Sequence, residues 1–158
     1  MRLRAVMAVA ALVLASCGRA AEHRATVPAP KAPVPDTELS LKDVMNRAID
    51  PASDVVWAAS GTVVDEHGTT DLSPKTKQGW KMVANNAAIL SELANALMLP
   101  GRAPAEPQWN QYANKLHDAA IGAMRAAEAQ DKAGLLRTGG DIYDACTECH
   151  KRYVLGER

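Results

Sequence analysis

Apolar residues recur at helical spacing from Leu41 to near the end of the chain. Leu41, Val44, Met45, Ala48 and Ile49 repeat at i, i+3, i+4, i+7 and i+8, behind Ser40 and Asp43 at the spacing of a capping box with Asp in place of Glu. The spacing predicts a first helix. Asp50-Pro51 is expected to kink or restart it, with Pro51 suited to a first turn, and Val55, Val56 and Trp57 carry it on toward Gly61. A second stripe of Trp80, Val83, Ala87, Leu90, Ala94, Leu97 and Met98 starts behind Ser73-Pro74, read as cap and first residue, and stops at Pro100-Gly101. A third helix is predicted from about Glu106 to the neighbourhood of Gln130, with Trp109, Tyr112, Ala113, Leu116, Ala120 and Ala123 turned inward. Asp131 can cap a fourth, on which Leu135, Leu136, Gly139, Ile142, Tyr143, Cys146, Cys149, His150 and Tyr153 share one broad face.

Between the first two helices, residues 61–73 read as a long connection with a turn at His67-Gly68, and no stretch has a convincing strand pattern. Four helices and a short third connection predict an all-α fold, an up-down-up-down four-helix bundle. Its alanines suit close helix packing. Aromatic side chains are few, with no Phe in the chain, so a bulky cofactor in the interior would complete the core.

Ahead of the helices the pattern changes. Arg2 and Arg4 precede an apolar run from Ala5 to Leu14, the charged and hydrophobic regions of an export signal too short to span a bilayer comfortably. The run ends in Leu14-Ala15-Ser16-Cys17, which resembles a bacterial lipobox, so residues 1–16 are read as a signal peptide with lipobox and Cys17 as the lipidated first residue of the mature chain. An ordinary signal cut between Ala15 and Ala21 is the alternative. Residues 17–38 form an Ala/Pro-rich tether (Val27-Pro28-Ala29-Pro30-Lys31-Ala32-Pro33-Val34-Pro35), a composition that favours extended polyproline II; a tail with no spacing role has the same composition. The folded domain is assigned to 39–158.

Charge adds little and excludes one class of partner. The chain carries 18 Lys and Arg against 18 Asp and Glu; loss of Arg2 and Arg4 with the signal leaves 16 against 18. No basic excess invites nucleic acid. No Gly-rich phosphate loop, G-x-S-x-G elbow or H-E-x-x-H helix is present, and the reading is of a protein that is not an enzyme.

The chemistry is concentrated in Cys146-Thr147-Glu148-Cys149-His150, the C-x-x-C-H attachment signature of a c-type haem. Two thiols three positions apart lie on one helix face, so both can add to the vinyl groups of one porphyrin edge, and the next imidazole reaches the iron. A zinc site would need a second ligand pair, and no other C-x-x-C or H-x-x-x-H exists. A redox dithiol would need a βαβ context, and the flanks are helical. One haem c per chain is expected, held by Cys146 and Cys149 with His150 as proximal iron ligand.

With that motif at the end of the last of four helices, the chain resembles a class II cytochrome c, the cytochrome c prime family and its low-spin relatives. The resemblance spans about residues 39–154 and includes Met45, Asp50-Pro51, Trp57, Trp80 and Tyr153, three residues after His150. It departs at Val154, where many relatives carry a basic residue. The resemblance implies covalent haem attachment outside the cytoplasm, hence the periplasmic side of a bacterial membrane, and homodimers through the first two helices.

Which group fills the sixth iron position separates the functional readings. His150 lies roughly 6 Å from the end of its helix and Met45 roughly 7.5 Å into the first, at 1.5 Å per residue, so their depths match in the expected topology. The resemblance also places the low-spin relatives' methionine on this helix. Met45 is therefore the expected distal ligand, with a plain core residue as the alternative and the shallower Met98 as second choice. Met82, Met124 and His117 fall nearer the middle or far end, while His23 and His67 lie in the spacer and a loop. A His/Met pair predicts an electron carrier serving redox partner proteins. The alternatives are a five-coordinate haem binding NO or CO, and a structural subunit using haem for stability. Lys42, Lys151 and Arg152 are expected to gather at the haem end, mostly as solvated charge.

Overall fold

The computed structural model describes residues 34–156; the signal segment, Cys17 and the tether up to Pro33 lie outside the described residues. Residues 34–40 form neither helix nor strand. Helix α1 (Leu41–Val44) then begins at Ser40, whose Oγ accepts the Asp43 N–H at 3.1 Å. The same hydroxyl donates to the Asp43 carboxylate, and this bond, followed by the one from Arg47, holds the Asp43 carboxyl below its usual range. The Asp-containing cap forms as its spacing predicts.

The helix restarts at Asp50-Pro51, as the sequence predicts: it widens into a π turn, Met45–Ile49, and α2 (Asp50–Ala58) begins there with Pro51 in its first turn. The Asp50 N–H donates to the carbonyl of Met45, five residues back. Proline has no N–H, and its ring crowds the carbonyl four residues earlier, here Arg47. A wider turn just before Pro51 relieves that crowding.

The long connection contains a β-hairpin, which corrects the expectation of no strands. Strands β1 (Thr62–Asp65) and β2 (Gly68–Asp71) pair antiparallel, Thr62 opposite Asp71 and Asp65 opposite Gly68. β-Branched Thr62, Val63, Val64, Thr69 and Thr70 supply the propensity. Gly68 supplies a φ of 121° at the turn, open to glycine alone without strain. Lys132 and Lys75 anchor the base by pairing with the Asp71 carboxylate. Ser73 does not cap the next helix: its N–H bonds to Asp71, and helix α3 (Lys77–Leu97) starts at Thr76, whose hydroxyl accepts from Gly79 at 3.0 Å.

Helices α4 (Pro107–Glu128) and α5 (Lys132–Tyr153) complete a mostly helical fold. The turn between them puts Gln130 at φ 54°, after which Asp131 caps α5 by accepting from Gly134 at 3.0 Å. Contacts at the ends fix the directions. Trp109, at the start of α4, donates its indole N–H to Leu97 O at the end of α3 at 2.8 Å. Arg152 and Tyr153, at the end of α5, both bond Glu106, just ahead of α4. Arg102, beyond α3, reaches Leu39 O, just ahead of α1. Consecutive helices therefore run antiparallel, and the start of α1 shares one end with the end of α5.

The core is mainly the one the periodicity predicts: Val44, Ile49, Val83, Ala87, Leu90, Leu97, Trp109, Leu116, Ala120, Leu135 and Ile142 are all buried. Leu136, Tyr143 and His150, assigned to the inner face of the last helix, are exposed. Leu136 is 55% and Tyr143 60% exposed, because the buried stripe of α5 is narrower than the sequence pattern. Where α4 meets α5 the backbones come close: a Cβ on Gly122 would stand 3.0 Å from a Thr138 methyl. Among the described residues, no helix is long and apolar enough to cross a membrane.

Candidate functional site

Four helices, α2 to α5, and the π turn line a cavity of about 250 Å³ at the end where α1 begins and α5 finishes. Met45, Ile49 and Asp50 wall it from the first helix, Trp109, Ala113 and Leu116 from α4, and Cys146, Cys149 and His150 from α5. Leu97 lines it from α3, Trp57 from α2 and Tyr143 from α5. Four expected site residues from two ends of the sequence thus meet at one place: Met45, Cys146, Cys149 and His150.

Each wall is set locally. Cys146 and Cys149 sit one turn apart in α5, half-buried, with their side chains among the packed residues of the core. Burial, then the charges of Cys149 and Asp50, push the Cys146 thiol up to about 11; burial alone raises Cys149. His150 is exposed on the last turn, its carbonyl taking the Val154 and Leu155 N–H groups that end the helix.

The last turn of α5 is clamped from the side. Tyr153 packs edge-on against Trp109 with ring centroids 5.0 Å apart, and against Tyr112 at 6.2 Å. Its hydroxyl shares the Glu106 carboxylate with Arg152. Lys115 pairs with Glu148 one turn back. These contacts fix the helix that carries Cys149 and His150 against α4.

Other predicted positions fall elsewhere. Met98 is the C-cap residue of α3 and does not line the cavity, and Met82 is exposed on the same helix. His117 faces Asp118 at 3.1 Å, and His67 lies by Glu66 at the hairpin tip. His23 lies outside the described residues. Lys42, Lys151 and Arg152 stay out of the cavity wall, and Arg152 is engaged by Glu106. The sequence reading missed Asp50 as a wall residue, having taken it only as the residue before a proline.

The residues present fit a covalently held haem. The fit rests on two half-buried thiols at i and i+3, an imidazole immediately after the second, a thioether on another helix, and a wall mainly of apolar and aromatic groups. No protein-family model matches the chain, and neither a curated protein nor a solved structure is detectably similar to it.

Proposed function

We propose that this chain is an exported, lipid-anchored monohaem c-type cytochrome that carries electrons between redox partner proteins. The observation that carries the reading is the convergence of Met45 with Cys146, Cys149 and His150 on one cavity. In this reading the antiparallel helices form an up-down-up-down four-helix bundle around one haem c, Cys146 and Cys149 supply the two thioethers, and His150 supplies the proximal nitrogen. Met45 supplies the distal sulfur. It, and not Met98, stands in the cavity wall. A haem with His/Met ligation supplies one-electron chemistry at a raised potential with both axial positions filled in either state.

The protein's own side chains do the rest. Trp109, Leu116, Ala113 and Leu97 are buried and keep water from the interior side, while Asp50 and Tyr143 are wall residues exposed to solvent. Tyr153 and Arg152 on Glu106 hold the last turn of α5, so the imidazole keeps one position through oxidation and reduction. Cys17 would tether the domain to the periplasmic side of a bacterial membrane through the Ala/Pro-rich segment.

The test begins with chain matured in a host able to attach haem c, then denatured and extracted with acidified acetone; colour that stays with the protein supports the reading. Met45→Ala is expected to convert a low-spin spectrum to a high-spin one and to lower the potential. An unchanged spectrum removes Met45 from the role, and rapid CO binding by the unaltered ferrous protein would replace electron transfer with ligand binding.

A further inference from the structure

The cavity wall contains one carboxylate, that of Asp50; the other wall residues are apolar, aromatic, or the Cys, Thr and His of α5. Its presence there follows from the π turn. At 3.6 residues per turn, Asp50 would lie about 140° around the helix from Met45. The two could not then line the same space. In the π turn, residues five apart are brought into line by the hydrogen bond between them, here Asp50 N–H to Met45 O, and Met45, Ile49 and Asp50 all reach the cavity. Asp50 is exposed and lines the cavity together with Cys146, whose thiol its charge helps to push up after burial and Cys149. Asp54, one turn further along α2, is equally exposed and does not line the cavity.

We propose that Asp50 is a potential-setting residue, whose negative charge at the cavity wall favours the oxidised over the reduced state of the iron held there. The inference rests on the haem reading given above. When one electron passes from the iron to a partner protein, the site gains one positive charge and no bond to Asp50 forms or breaks. A fixed anion nearby stabilises the more positive state, and because Asp50 is exposed to solvent, salt weakens the effect. The π turn is then the device that brings a charge beside the axial methionine, which a regular helix would turn away.

The test is a spectroelectrochemical titration of the full haem-bearing chain at pH 7 and low salt. Asp50→Asn should move the midpoint to more positive potential, Asp50→Lys further in the same direction, and Asp50→Glu should stay near the original. Asp54→Asn should move it less than Asp50→Asn, and raising the salt should shrink every shift. Visible spectra confirm that the axial ligands are unchanged in each variant. A haem-bearing protein whose midpoint is the same with Asp, Asn and Lys at position 50 overturns the proposal alone. A matured chain with no covalent haem overturns it together with the reading beneath it.

Discussion

The α4 helix is gripped along its length by α3 and α5, whereas the first helix meets α5 over a short stretch, chiefly where Trp57 donates to Gly139 O at 3.0 Å. On the tight side small residues face one another, with Ala87, Ala94, Ala120, Ala123 and Ala127 buried and Gly122 against Thr138, so backbones approach and few voids remain. On the loose side Trp57, Met45 and Tyr143 line the cavity. Small side chains close a helix pair; larger ones border the cavity.

That contrast can be broken in order of expected effect. Leu90→Ala, at a fully buried position on the tight side, should cost about 2–5 kcal/mol in urea unfolding, because close-packed neighbours cannot collapse into the gap. A loss no greater than that of an exposed substitution would mean the tight side is not close-packed. Trp57→Phe removes the one long-range hydrogen bond named between the first helix and α5, and should cost about 0.5–1.5 kcal/mol while leaving the α3–α4 pairing intact by hydrogen exchange. The smallest effect belongs to the hairpin. Lys132 first, then Ser73 and Lys75, hold the Asp71 carboxyl well below its usual range. The stabilisation is therefore present above roughly pH 4 and fades as pH falls further. Asp71→Asn should lower Tm slightly at pH 7 and by less at pH 3, and salt should mask the difference.

The tight side was the more legible in the sequence. A 3.6-residue period over Trp80 to Leu97 and over Trp109 to Ala123 specifies which face is buried, and those faces are buried. Asp131 as a cap and Ser40 with Asp43 were readable because capping needs named side chains at fixed offsets. The loose side was read less well for physical reasons. Leu136 and Tyr143 fit an inward stripe, yet each keeps more than half of its surface exposed. The hairpin lacks inward alternation because it buries little on either face. The π turn was invisible because Leu41, Val44, Met45, Ala48 and Ile49 read equally well as a regular helix. For the candidate site, Cys146, Cys149, His150 and Met45 could be named from spacing, resemblance and depth, while Asp50 depended on backbone geometry that no residue pattern announced.

A widened turn amounts to one surplus residue in an otherwise regular helix. Any alignment that forbids a gap between Met45 and Pro51 will pair the inward side chains of this chain with outward ones in kin whose helix lacks the surplus. The ancestry of this segment is thus better traced by superposing backbones than by matching letters.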